Sequence, residues 1–319
     1  MPSAEETLEA AEKAIPAEVR MISGCQDSQT SADVSNVASF SLPDPAGRAG
    51  GACTSALLKV LYADHHRTEE DLSFQETLLK MREILSSGRY TQIPQLTSSR
   101  PMNIQESFDL VPPDCSGERR ALLIGINYIG QQGELSGCHN DVMNIKEYII
   151  DVHGFPEENI TILLDDGEHR DPTRENILDA YKALVSASKA GDACFCHYSG
   201  HGGKLRDDDG DEADGYDETL VPLDYQRAGQ IRDDDIFNTL IGPMPKGVTL
   251  TCIMDCCHSG TVLDLPYVFK ADGESEEMTA DPDFDFGPLL QLAVSLFSDG
   301  IQKEDFLKIG SSLLSGVFS

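Results

Sequence analysis

Positive charge is scarce in this 319-residue chain: 24 Lys and Arg stand against 55 Asp and Glu, a formal net charge of −31 at pH 7. A surface so charged repels polyphosphates and acidic lipid, which excludes nucleic acid and anionic membranes as partners and favours cations or cationic peptides. No apolar run is long enough to span a bilayer, and residues 1–19 lack the apolar core of a secretory leader, so a cytoplasmic location is expected. The nine cysteines lack the paired spacings of a disulfide framework, which points to free thiols in a reducing compartment. With 40% hydrophobic residues the chain can bury one large core or two modest ones.

What is present is organised around two stretches, His197-Tyr198-Ser199-Gly200-His201-Gly202-Gly203 and Asp255-Cys256-Cys257-His258-Ser259-Gly260. Each follows a short apolar run, 193–196 and 248–254, and so reads as a buried strand running into a glycine-rich turn. Delivered to the carboxyl ends of neighbouring parallel strands, an imidazole and a thiol make a nucleophilic dyad: the base takes the thiol proton and the thiolate attacks a carbonyl. His201 is the expected base and Cys257 the expected nucleophile. Backbone N–H groups of Gly202 and Cys257 are the expected oxyanion donors, since glycine permits close approach. Cys25, Cys53, Cys115 and Cys252 read as inert small hydrophobes, and His197 as a packed histidine. Cys194 and Cys196 share a strand face beside the strand carrying Cys252, Cys256 and Cys257, which leaves a disulfide or reversible oxidation of Cys257 open. Two other classes are weighed. Structural zinc on Cys256, Cys257, His258 and His201 lacks the ligand spacing such sites favour; an inactive module that holds basic peptides is opposed by the presence of both His201 and Cys257.

Along the chain, 19–23 and 38–42 are strand candidates, and a helix from Gly51 carries Ala52, Leu57, Leu58 and Leu61. A second helix spans 73–85, with Ser73 and Glu76 as a capping box, before 90–96 runs extended. The turn-rich stretch 112–117 is the clearest boundary. Strand and helix then alternate: strands at 120–126, 160–164, 192–198, 219–223 and 249–255, helices at 141–152, 173–189 and 233–241. That rhythm predicts an α/β fold, a mostly parallel central sheet with helices on both faces and the site at the strands' carboxyl ends. After Tyr267 the pattern stops. Residues 271–287 read as an acidic flexible segment, followed by amphipathic stretches at 288–297 and 306–318.

Tyr198-Ser199-Gly200-His201-Gly202-Gly203, Asp214-Gly215-Tyr216-Asp217-Glu218, Asp233-Asp234-Asp235-Ile236, and Asp255 to Gly260 with Leu263-Asp264-Leu265-Pro266-Tyr267 resemble the catalytic domain of the metacaspases. The Gln-Ala-Cys signature of true caspases is absent. Residues 23–33, Gly50-Gly51-Ala52 and Tyr90 to Leu96 are similar to the small-subunit-like region that in most metacaspases follows the catalytic domain; preceding it is the mark of type III. The resemblance implies a caspase-like fold divided into a small-subunit-like region at 1–116, a catalytic domain at 117–268 and a tail at 269–319, with both regions sharing one sheet.

The same resemblance implies a cysteine endopeptidase acting on protein or peptide substrates, as a monomer. Asp141 and Asp255, with Ser199 and Cys138 beside them, would line the pocket for the residue before the scissile bond; two carboxylates there select Arg or Lys. Asp217, Asp233, Asp234 and Asp264 match the positions at which metacaspases bind calcium, an oxygen-rich set suited to that ion, although no EF-hand loop is present. Lys270, at the start of the acidic segment, resembles the place where metacaspases cut themselves, with Lys303 and Lys308 as weaker alternatives.

Overall fold

A computed structural model describes residues 11–24, 33–34, 52–63, 71–87, 93–206, 216–256, 262–263, 265–281 and 284 of the chain. The strands are β1 (Glu18–Ser23), β2 (Asp33–Val34), β3 (Gln95–Ser98), β4 (Arg119–Gly125), β5 (Ile160–Leu164), β6 (Ala193–Ser199), β7 (Gly202–Arg206), β8 (Tyr216–Leu220), β9 (Ile231–Arg232), β10 (Thr249–Asp255), β11 (Tyr267–Lys270) and β12 (Thr279–Ala280). The main sheet runs β12-β11-β3-β1-β10-β6-β4-β5, and a smaller sheet runs β2-β7-β8-β9. Strands β1, β10, β6, β4 and β5 are parallel, while β3, β11 and β12 add on antiparallel at the far side.

The near-continuous apolar runs are explained by burial on both faces, as central parallel strands require. The two-residue period sorts their side chains. Cys194, Cys196 and Tyr198 of β6, with Leu250, Cys252 and Met254 of β10, enter one core, against helix α4 (Arg174–Ala187) and the helical stretch 233–241. That stretch runs as an α-helical turn over Asp233–Ile236 and a π-helical one over Phe237–Ile241, where the sequence predicts a helix. Phe195 and Ile253 enter the other core, with α1 (Ala52–Leu61), α2 (Phe74–Ser87) and α3 (Cys138–Asp151). Helices therefore cover both faces, as the alternating pattern predicts.

The region before residue 117 is built into this sheet. Strand β1 hydrogen-bonds along β10, with Glu18 opposite Thr249 and Ser23 opposite Met254, so the first described strand lies beside the strand that leads into the predicted nucleophile. Glycine makes two close approaches workable. A Cβ on Gly24 would lie 2.8 Å from the Cβ of Cys53 in α1, and one on Gly125 would lie 2.8 Å from the Cys138 carbonyl in α3. The amino ends of both helices thus reach the carboxyl ends of the central strands.

Local signals mostly hold. Ser73 Oγ accepts the Glu76 N–H (3.2 Å) and the Glu76 carboxylate accepts the Ser73 N–H (2.9 Å), the reciprocal box that starts α2. Hydroxyl capping recurs at α4, where the Thr173 side chain accepts from the Asn176 N–H. Helix α3 starts at Cys138, three residues before the expected Asp141, because the Asn127 side chain accepts the Cys138 N–H at 3.1 Å. The 219–223 strand is shifted to Tyr216–Leu220. The expected flexible segment is ordered at its start: Asp272 accepts the Glu274 and Ser275 N–H groups (both 2.8 Å), and Thr279–Ala280 returns as β12 along β11. The 38–42 strand and the 288–297 and 306–318 stretches lie outside the described residues. Among the described residues no helix is long and apolar enough to cross a membrane.

Candidate active site

Strands β6 and β10 end side by side, with Ser199 opposite Asp255, and β6 leads directly into Gly200 and His201. His201 lies two residues beyond the end of β6, only 4% exposed. Its main chain is fixed from three directions. The Tyr128 hydroxyl accepts the His201 N–H (3.0 Å), while the Tyr198 hydroxyl (2.9 Å) and the Val221 N–H (3.1 Å) donate to the His201 carbonyl. Its ring packs 4.8 Å from that of Tyr128. Its Nε2 meets the Gly133 carbonyl at 2.8 Å. A carbonyl only accepts, so Nε2 carries the proton and the lone pair sits on Nδ1. Burial holds the imidazole pKa below its ordinary value despite that hydrogen bond, which keeps the ring neutral and basic. Cys257 lies outside the described residues, on the segment that continues from β10.

The predicted pocket residues come together at the same strand ends. Ser199 donates to Asp141 Oδ2 at 2.8 Å, and Asp141, in the first turn of α3, is 5% exposed. Asp255 is met by the amino end of α1, where the Thr54 N–H donates to Oδ2 (2.7 Å) and the Cys53 N–H to Oδ1 (3.4 Å). A carboxylate at a helix N-terminus is stabilised as the anion. Asp141, although it too lies in the first turn of a helix, has its pKa pushed up to about 7 by burial and by the charge of Asp255, with the Ser199 bond opposing. Cys138 is fully buried beside them, its thiol pushed up to about 12 chiefly by burial. Gly202, the expected oxyanion donor, is the first residue of β7.

The acidic loop residues are partly assembled. Asp233 Oδ2 accepts the Glu218 N–H and Oδ1 the Asp234 N–H (both 2.9 Å), so Asp217, Asp233 and Asp234 are neighbours through β8. Asp217 pairs with Arg232 through Oδ2, and its buried Oδ1 has no hydrogen-bond partner among the described residues. An orphaned buried carboxylate oxygen is a place for a cation, and the donors are all oxygen, so the set fits calcium in kind. Among the described residues no group of three or more such ligands has converged, and Asp264 lies outside them. Lys270 is the last residue of β11, paired with Gln95, and so ends a strand instead of opening a loop. Lys303 and Lys308 lie outside the described residues.

Other expectations are placed plainly. His197 is buried in β6 with Nε2 on the Thr54 hydroxyl (3.0 Å), its pKa lowered to about 3 by burial. Cys194, Cys196, Cys252 and Cys256 gather in one core, and all seven described cysteines are free thiols. His258, of the zinc alternative, is outside the described residues. Four contributors carry no signal in the sequence: Tyr128 and Gly133, which hold His201, and Cys53 and Thr54, which hold Asp255.

Residues 119–266 match the family "Metacaspase, peptidase C14 domain", and residues 4–103 match the caspase domain. Metacaspase III c of Phaeodactylum tricornutum is 65% identical over 280 residues, covering 87% of this chain and 83% of that protein. The chain belongs to the metacaspases. Metacaspase-1A of Neurospora crassa is 47% identical over 188 residues, and Metacaspase-1 of Schizosaccharomyces pombe 50% over 165 residues. These matches cover 58% and 51% of this chain but only 41% and 39% of the two fungal proteins, less than half their length. Metacaspases are caspase-like cysteine peptidases, so proteins are the substrate class. In this metacaspase the caspase-domain match precedes the catalytic match, the order expected of type III.

Proposed function

We propose that this metacaspase is a calcium-dependent endopeptidase that cleaves after Arg or Lys with a His201–Cys257 dyad. The observation that carries the reading is the state of His201: neutral, protonated on Nε2 against the Gly133 carbonyl, with its lone pair on Nδ1 at the end of the strand beside β10. Nδ1 takes the Cys257 thiol proton, the thiolate adds to the peptide carbonyl, and the same nitrogen returns the proton to the leaving amine. The Gly202 and Cys257 N–H groups receive the developing oxyanion. Water then cleaves the acyl-enzyme by the reverse proton path.

Asp141 and Asp255, with Ser199 at the end of β6 and Cys138 at the start of α3 beside them, form the pocket for the residue before the scissile bond. A guanidinium or ammonium entering there offsets both the burial and the repulsion from Asp255 that raise the Asp141 pKa, whereas an Asp side chain would add a further negative charge. Asp217, Asp233, Asp234 and Asp264 would hold calcium, which when bound supplies positive charge that draws these loops together near the site. The Arg232 guanidinium is the cation that Asp217 holds otherwise. Self-processing after Lys270 requires β11 to leave the sheet first, since that peptide bond ends a paired strand. A cytoplasmic monomer completes the reading.

The direct test is alkylation by a peptidyl-Arg chloromethyl ketone followed by peptide mass spectrometry. The expected adduct is on Cys257, in calcium and not in chelator. An adduct on another cysteine, or none while an Asp analogue reacts, would overturn the proposal.

A further inference from the structure

His201 takes its tautomer from a carbonyl and its backbone anchor from a hydroxyl, and both belong to the same loop, 126–137, between β4 and α3. A loop so placed needs an anchor of its own, because Tyr128 within it sits at φ +53°, a strained conformation for a tyrosine. The anchor is Asp165, the residue after β5. Its Oδ1 accepts the Asn127 N–H (2.8 Å), and its Oδ2 accepts the Ile129 N–H (3.2 Å), so the carboxylate bridges the residues on either side of Tyr128. Asn127 then uses its carbonyl for the Leu135 N–H (2.7 Å) and its side chain for the Cys138 N–H (3.1 Å), which closes the loop on itself around Gly133. Asp165 Oδ1 also lies 2.6 Å from Nε2 of His139 in the first turn of α3, with the two side chains 4% and 19% exposed. One carboxylate thus ties both ends of the loop to the end of β5.

We propose that Asp165 and His139 are positioning residues for the general base: they fix the 126–137 loop, and the loop fixes the orientation and tautomer of His201. Neither residue touches the reacting atoms. The inference rests on His201 being the base, but the clasp itself concerns only the imidazole's setting.

The experiment uses the full chain and three variants, Asp165→Asn, His139→Ala and His139→Gln, the last keeping an N–H that can reach Asp165. Two readouts are taken: kcat and KM on an Arg peptide, and the histidine ring signals in ¹H–¹⁵N NMR spectra. In wild type the His201 Nε2–H is expected as a slowly exchanging, hydrogen-bonded proton. Asp165→Asn and His139→Ala are expected to lose that signal and to lower kcat about 10- to 100-fold, part of the roughly 10²–10⁴-fold that a positioned base supplies, with KM little changed. His139→Gln is expected to restore both. His139→Ala, at a partly exposed position, serves if Asp165→Asn does not fold. A wild-type Nε2–H signal in both disrupting variants, or an effect confined to KM, would overturn the clasp. Full activity in His201→Ala would instead remove the base assignment while leaving the NMR result to stand alone.

Discussion

At the scale of single residues, two carboxylates of the same kind are set apart by what meets them. Asp255 receives two N–H groups from the start of α1, whereas Asp141 receives one hydroxyl and has its pKa raised to about 7 by burial and by Asp255. As pH rises through about 7, Asp141 loses its proton, and the proposed pocket would gain charge for a cationic side chain. KM for an Arg peptide should therefore fall between about pH 6 and 8, and Asp141→Asn should flatten that profile while raising KM about 10- to 100-fold, the size of one charge-assisted hydrogen bond. Steady-state kinetics across that range check both. In the proposed dyad His201 would act separately, on kcat, whose acid limb should lie below the ordinary histidine value because its pKa is lowered by burial. Arg232 offers a third residue-level test. If it stands in for a cation at Asp217, Arg232→Gln should tighten calcium binding several-fold by titration calorimetry; unchanged or weaker binding would remove that role.

At the scale of elements, the short helix α1 and strand β6 are joined through Thr54, whose N–H holds Asp255 and whose hydroxyl holds His197. His197 is neutral in the fold, with a pKa lowered to about 3 against an ordinary value of 6.5, so the unfolded chain binds its proton first as pH falls. Stability should therefore drop on acidification from pH 6.5 toward 3 by about 1.4 kcal/mol per unit from this group, and His197→Gln should remove that slope in denaturant titrations. Elements were the most legible part of the sequence. Apolar runs bounded by turn formers marked β4, β5, β6 and β10 within a residue or two; β6 and β10 are buried along their whole length, while β5, at the sheet edge, is buried only at its carboxyl end. Starts set by remote caps were not legible: α3 begins where Asn127, eleven residues upstream, accepts its first N–H. Nor was the order of residues 271–281, because acidic side chains that read as a solvated run serve instead as turn caps.

At the scale of the whole molecule, the segment before residue 117 is structurally inseparable from the sheet, since β1 lies between β3 and β10. Residues 117–319 alone would expose the long edge of β10 and the apolar face that α1 and α2 cover. That fragment should be insoluble or unfolded, and co-expression with residues 1–116 should recover folded protein; a soluble, active fragment would contradict this placement. The site shows the same division between near and far. The strand and glycine-rich stretch that carry His201 could be read from local pattern, and the family resemblance named Asp141 and Asp255. The groups that hold them could not be read, because Thr54 is 201 residues from Asp255 and Gly133 is 68 from His201, and only the folded sheet brings them together. The proposed activity directs a Cys257 thiolate to bonds that follow a basic residue. Fluorogenic peptides differing only in Arg, Lys or Asp before the bond, assayed with wild type and Cys257→Ala in calcium or chelator, test it most directly. The expected result is release after Arg and Lys in calcium by wild type alone; equal release after Asp, or release that survives Cys257→Ala, would contradict it.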